Sequence, residues 1–197
     1  HPRPARGGGR GAGGVSAPAP ASAPATAVVF DLDGTLVDSA PDICAVANGV
    51  LVAEGARPLT LAEARGFVGA GADTFVHRMR EARGLPEADQ ERLLAAFLDG
   101  YEGAVAHSEL FPGVADALAV LAARGHRLGV CTNKPLGPAR TVLSHFGLGP
   151  RFGAVLGGDS LSARKPDPAP LLAVLEALGA AEGVYVGDSE IDAETAE

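Results

Sequence analysis

Lysine is nearly missing from this chain. Of sixteen Lys and Arg residues, only Lys134 and Lys165 are lysine, which leaves fourteen arginines. A lysine ammonium is a compact point charge, and a guanidinium does not replace it where one cation must fit between oxygens. In a chain so biased toward arginine, the segments Thr132-Asn133-Lys134 and Lys165-Pro166-Asp167-Pro168 therefore point to a functional role for at least one lysine. Lys165 is the one expected to reach a site, and Lys134 is read as a rim or surface residue.

Cysteine is scarce as well. Cys44 and Cys131 are the only two, both in apolar contexts, which excludes a disulfide scaffold and fits a reducing cytosol. No apolar stretch has transmembrane length, and the N-terminal segment lacks the apolar run of a signal peptide. Positive charge is in deficit, with a formal net charge of −8. That argues against a nucleic-acid or anionic-membrane partner and leaves room for a small anionic substrate in a local positive pocket. The expected setting is cytoplasmic, as a monomer or homodimer. His77, His107, His126 and His145 show no common metal-ligand spacing, so they are read as ordinary surface or core histidines.

The 197 residues, 47% of them hydrophobic, suit one ordinary domain or one with a modest insertion. Residues 1–26 are almost entirely Pro, Ala, Gly, Ser and Arg, without an acid. Such a segment cannot bury enough apolar surface to fold and is expected to be a disordered tail. The missing initiator Met suggests a fragment or a misassigned start.

The folded part opens on its most informative stretch. The apolar run Ala27-Val28-Val29-Phe30 leads directly into Asp31-Leu32-Asp33-Gly34-Thr35. This reads as a buried parallel strand feeding a tight turn, with two carboxylates delivered to the strand's carboxyl end, where open α/β sheets bind ligands. Two like charges placed there require a cation or a shared proton.

Residues 41–108 then form a helical block. Ile43, Val46, Ala47 and Val50 recur at helical spacing, and Thr60 with Glu63 makes a capping box. Gly69-Ala70-Gly71 interrupts the pattern. Phe75, Val76 and Met79 mark a third helix, and Pro86 starts a fourth with Leu93, Phe97 and Tyr101 on one face. The block is too long for a simple crossover and is expected to be an inserted cap. From residue 109 to 197 strands at 128–131, 152–156 and 184–186 alternate with helices. Together with residues 27–40 this predicts an α/β core: a doubly wound parallel, Rossmann-like sheet with an inserted α-helical cap subdomain.

Polar groups at 31–35, 132–134 and 187–192 each follow a strand end. In a parallel sheet those ends share one edge, so Asp31, Asp33, Thr132, Asn133 and Asp188 converge, with Lys165 entering from a loop. Carboxylates with room left for water and phosphate oxygens suit Mg²⁺. Thr132 and Asn133 offer a hydroxyl and an amide to an anion, and Lys165 neutralises charge. Phosphoryl transfer demands this positioning and neutralisation. A carboxylate nucleophile gives an aspartyl phosphate, and a second carboxyl two residues away can protonate the leaving alkoxide and then activate water.

Over residues 27–197 the chain resembles the phosphatases of the haloacid dehalogenase superfamily. The four signatures are Asp31-Leu32-Asp33-Gly34-Thr35, Thr132-Asn133, Lys165-Pro166 and Gly187-Asp188-Ser189-Glu190-Ile191-Asp192, in order. The resemblance implies Asp31 as nucleophile and Asp33 as general acid/base. It implies Thr132, Asn133 and Lys165 on the phosphate. It assigns Mg²⁺ to Asp31, the backbone carbonyl of Asp33 and Asp188, with Asp192 supporting the metal or Lys165 from behind.

Within the superfamily the chain is similar to the phosphoglycolate phosphatases. That similarity lies in Phe67-Val68-Gly69-Ala70-Gly71-Ala72-Asp73, Leu110-Phe111-Pro112-Gly113-Val114, Thr132-Asn133-Lys134-Pro135 and Gly157-Gly158-Asp159. It implies Mg²⁺-dependent hydrolysis of 2-phosphoglycolate to glycolate and phosphate. The substrate-facing cap loop would be Gly69, Ala70 and Gly71, with Arg65, Arg78 and the backbone near Gly71 as partners for the substrate carboxylate. Competing readings are a phosphatase for sugar, amino-sugar or nucleotide monophosphates or pyrophosphate, a β-phosphoglucomutase-like mutase, a receiver-like phospho-acceptor, or an inactive fragment. The chain stops at Glu197, whereas the family continues with about one more helix and one or two strands. The last strand is therefore expected to be an exposed edge, and the chain less stable than a longer relative.

Overall fold

A computed structural model of the chain describes residues 26–197, so the expected tail at 1–25 lies outside the described residues. Thr26, assigned to that tail, already hydrogen-bonds: its carbonyl accepts from the Arg127 amide.

The core is a four-stranded parallel sheet in the order β5-β4-β1-β6. Strand β1 (Ala27–Phe30) lies between β4 (Arg127–Cys131) and β6 (Gly183–Val186), with Phe30 opposite both Val130 and Val186. Strand β5 (Ala154–Leu156) extends β4. Alternate residues of β1 serve opposite faces. Val28 and Phe30 join Leu118, Val130 and Val142 on one side, under α5 (Val114–Ala123) and α6 (Leu136–His145). Ala27 and Val29 join Val174 and Leu175 of α7 (Ala169–Ala177) on the other. Burial on both faces explains why the strand is wholly apolar. Gly129 lets α7 approach, since a Cβ there would lie 2.5 Å from Val174 Cγ1.

Sequence expectation and structure differ at a few boundaries. Strand β5 starts at Ala154, two residues later than expected, because Gly149–Arg151 forms a 3₁₀ turn first. Pro86 is followed by a 3₁₀ turn, Glu87–Asp89, before the fourth helix begins at Gln90. A two-stranded antiparallel ribbon of β2 (Val37–Asp38) and β3 (Glu109–Leu110) was not expected. Pairing residues so far apart leaves no local pattern to read.

The ribbon marks where the helical insert leaves and rejoins the core. The insert comprises α1 (Ala40–Ala53), α2 (Leu61–Phe67), α3 (Ala72–Ala82) and α4 (Gln90–Tyr101). It has its own core around Ile43, Leu51, Phe75, Met79, Leu93 and Phe97. Phe75 stacks on Phe97 at 5.3 Å, and Phe97 meets Tyr101 at 5.0 Å. Thr60 and Glu63 form the expected capping box. At the other end of the chain, β6 has one neighbour among the described strands, with Val184 53% exposed before α8 (Glu190–Ala196).

Candidate active site

The sheet order brings three polar segments side by side. Asp31 follows β1 directly, and its amide donates to the Val186 carbonyl. Thr132 follows β4, and Asp188 lies just past β6. The turn after Asp31 is closed by the amides of Leu36 and Val37 donating to the Leu32 carbonyl. It passes through Gly34 at φ +87°, a conformation that favours glycine. A Cβ there would collide with the Asp188 carboxylate, so this glycine is also what lets Asp188 approach.

The two turn carboxylates face different partners. Asp31 is buried, with Oδ1 3.0 Å from Lys165 Nζ. The angle of that contact is outside hydrogen-bond geometry, so the oxygen has ionic but no hydrogen-bonded satisfaction. Burial raises the Asp31 pKa to about 6, an effect that Lys165 opposes and that Asp192 and Asp33 reinforce. Asp33 turns the other way. Its Oδ1 accepts from Ser39 Oγ and lies 3.0 Å from Lys134 Nζ.

Lys165 is buried and donates to Asp192 Oδ1 at 2.6 Å and to the Tyr185 hydroxyl at 2.8 Å. The Lys165–Pro166 peptide is cis. Burial alone would lower the Lys165 pKa, but Asp31 and Asp192 outweigh it and raise it. Asp192 is occupied on both oxygens. Oδ1 holds Lys165, while Oδ2 accepts from the amides of Asp188 and Ser189 and from Ser189 Oγ. It thus anchors Lys165 and caps α8 at once. Burial pushes its pKa up, but Lys165 and these donors prevail and hold it below the usual carboxylate range.

Oxygens of Asp31, Asp188 and Asp192 lie within 4.8 Å of one another. Since Asp192 is committed elsewhere, Asp31 and Asp188 are the two available carboxylates, with Asp188 oriented by Thr35 Oγ1 at 3.1 Å. An all-oxygen donor set with few carboxylates fits a hard divalent cation such as Mg²⁺. The Asp33 side chain is not part of that cluster.

Thr132 is buried, and its Oγ1 accepts from the Lys134 amide. The side-chain amide of Asn133, expected to bind phosphate, donates to the carbonyls of Gly69 (3.2 Å) and Lys165 (3.0 Å). It fastens the cap loop to the core. The loop does reach the site: a Cβ on Gly71, at φ +90°, would stand 3.3 Å from the Asn133 carbonyl. Gly69 and Gly71 line a cavity between cap and core with Asp31, Asp33, Thr132 and Asn133.

Three basic residues have defined partners. Arg78 is not among the residues lining the cavity; it donates to the carbonyls of Gly66 and Phe67, at 3.4 Å each. Arg65 makes a two-pronged pair with Asp38, at 2.9 and 2.7 Å, across the cap–core boundary. Lys134, read as a rim residue, is 4% exposed and lies in the site, against Asp33 and the Tyr101 hydroxyl. Sequence reading also missed Ser39, Tyr101 and Tyr185. The available signal was scarcity. The chain has only two tyrosines, and each stands against one of its two lysines, with Nζ 4.3 and 5.5 Å from the ring centroids. Cys131 is buried beside this network, and burial pushes its thiol up to about 11, so it stays protonated at neutral pH.

The chain is similar to known proteins. The haloacid dehalogenase-like hydrolase family matches residues 25–197. A phosphoglycolate phosphatase of Cereibacter sphaeroides is 52% identical over 173 residues, covering 86% of this chain and 79% of its own. Another, of Rhodospirillum rubrum, is 46% identical over 179 residues, covering 86% of this chain and 74% of its own. The crystal structure of a predicted phosphoglycolate phosphatase from Haemophilus somnus superposes with a TM-score of 0.81 at 32% identity, covering 87% of this chain and 80% of that one. With the signatures on adjacent strand ends and a family match over residues 25–197, the chain belongs to the haloacid dehalogenase-like hydrolases.

Proposed function

We propose that this hydrolase cleaves 2-phosphoglycolate to glycolate and phosphate through an aspartyl phosphate on Asp31. The observation that carries the reading is the divergence of Asp31 and Asp33. One faces Lys165 and the Asp188 side of the site, the other faces Lys134 and Ser39. Two carboxylates in such unlike surroundings suit unlike tasks. The choice of substrate is supported by the phosphoglycolate phosphatases that resemble the chain at up to 52% identity.

In the first step an Asp31 carboxylate oxygen attacks phosphorus, and the ester P–O bond breaks. The leaving alkoxide takes a proton from Asp33 and departs as glycolate. In the second step a water attacks the acyl phosphate and gives its proton to Asp33, which releases phosphate and restores Asp31. Lys165, fixed by Asp192 and Tyr185, keeps positive charge next to the nucleophile. Thr132 lines the same cavity and offers its hydroxyl to the phosphoryl oxygens. Mg²⁺ on Asp31 and Asp188 would neutralise charge on the nucleophile and the transferring group. Closing the cap excludes water from the first step. The enzyme acts on a small phosphorylated metabolite in the cytoplasm, as a monomer or homodimer, without nucleic-acid or membrane partners. No helix among the described residues is long and apolar enough to cross a membrane.

The test is phosphate release from 2-phosphoglycolate and a panel of sugar and nucleotide monophosphates, with Mg²⁺ and with chelator. Release should depend on Mg²⁺ and be fastest for 2-phosphoglycolate. A faster sugar or nucleotide ester would overturn the substrate, and metal-independent release would overturn the role of Mg²⁺.

A further inference from the structure

Lys134 lines the cavity between cap and core. Its side chain is 1% exposed, and its ammonium is held between the Asp33 carboxylate and the Tyr101 hydroxyl. An ammonium has three donors. They reach Asp33 Oδ1 at 3.0 Å, Asp33 Oδ2 at 3.4 Å and the Tyr101 hydroxyl, and the long Oδ2 contact is the one a ligand oxygen would replace.

The surroundings define what that ligand must be. The cap contributes Ile43, Val68, Phe75 and Phe97 to the cavity, all apolar. Among the described residues lining it, Lys134 is the only cation. Arg65 pairs with Asp38 and lines the adjoining cavity with Asp33 and Asp188, and Arg78 donates to backbone carbonyls, so neither is among the residues lining this one. Counted over the positions a water centre can occupy, the cavity holds about 30 Å³, the room of roughly two or three waters. Asp33, the group that protonates the leaving oxygen in the proposed reaction, touches Lys134. The ammonium is therefore next to the leaving group.

We propose that Lys134 is a specificity-determining residue whose ammonium, braced by Asp33 and Tyr101, receives the carboxylate of a short anionic leaving group. An anion entering an apolar cavity loses its hydration and needs a fixed opposite charge. A neutral ester of the same size gains nothing from that charge. Lys134 thus separates phosphate esters of small hydroxy acids from esters of small alcohols. This rests on the 2-phosphoglycolate reading given above.

The experiment compares kcat/KM for 2-phosphoglycolate and for ethyl phosphate, at saturating Mg²⁺, in the wild type, Lys134→Gln, Lys134→Met and Lys134→Arg. Any damage to Asp33 lowers both substrates and cancels in their ratio. The wild type should favour 2-phosphoglycolate. Lys134→Gln and Lys134→Met should lose about 10- to 100-fold of that preference, and Lys134→Arg should keep part of it. The Gln variant retains a donor toward Asp33 and Tyr101 and carries the test if the Met variant does not fold. An unchanged ratio in Lys134→Gln would overturn the proposal while leaving the substrate reading intact. A wild type without preference for 2-phosphoglycolate would overturn both.

Discussion

The hydroxyl of Tyr185 accepts a hydrogen bond from Lys165 Nζ at 2.8 Å and lies within reach of Asp192 Oδ1 and the Cys131 carbonyl. Its one proton goes to one of these two acceptors. The phenol thereby joins the end of β4 to the lysine beside Asp31. Tyr185→Phe keeps the ring and removes the connection. Leaving partly buried partners unsatisfied should cost about 1–2 kcal/mol, visible as a melting temperature lower by about 2–8 °C. A melting temperature equal to wild type would show the hydroxyl to be dispensable.

Asp31→Asn should stop turnover and at the same time stabilise the metal-free protein. The folded-state pKa of Asp31 is raised from 3.8 to about 6. Between those values the native state holds a proton that the unfolded chain has released, so stability falls as pH rises through this window. Above it the ionised carboxylate costs the native state on the order of 2–3 kcal/mol. Melting curves in chelator from pH 4 to 7.5 should show wild type losing stability with rising pH and Asp31→Asn losing less. Parallel curves would contradict the burial argument.

Asp42 ties together the two strands of chain that enter and leave the cap. It sits in the first turn of α1 and accepts from the His107 amide at 3.0 Å, from the His107 ring and from Ser108 Oγ at 2.6 Å. Burial pushes its pKa up, but these donors prevail and hold it below the usual carboxylate value. A depressed carboxylate contributes stability above its unfolded pKa, lost as pH falls through the folded one. Asp42→Ala should destabilise by about 2–3 kcal/mol at pH 7. In urea titrations the gap from wild type should shrink as pH drops below 4.

Arg65 and Asp38 form the exposed latch between α2 and β2. Exposed pairs contribute little stability, so Arg65→Ala should leave the unfolding free energy within about 1 kcal/mol of wild type. Because the pair crosses from cap to core, KM for the preferred ester should rise several-fold. A large stability loss with unchanged KM would identify it as structural.

Much of this molecule was legible without coordinates, and the reasons are local. The apolar run before Asp31 announces a strand buried on both faces, and Asp-x-Asp-Gly-Thr announces the turn. The capping box of Thr60 and Glu63 and the spacing of Leu93, Phe97 and Tyr101 follow from helical geometry within a few residues. Parallel strands then force Asp31, Thr132 and Asp188 to one edge. Lys134 was misjudged for the opposite reason. Its burial comes from Asp33, distant in sequence, and from Tyr101 on a cap helix, and no nearby residue signals either contact.

The sequence by itself determined the α/β core, the helical insert and the family of acids and bases at the strand ends, because strand, helix and turn chemistry are written in neighbouring residues. Only the tertiary structure decided which lysine faces which carboxylate, that Arg65 pairs with Asp38 and Arg78 with backbone carbonyls, and that Asn133 fastens the cap loop. These outcomes depend on how the cap packs over the sheet edge, where side chains distant in sequence compete for the same few buried partners.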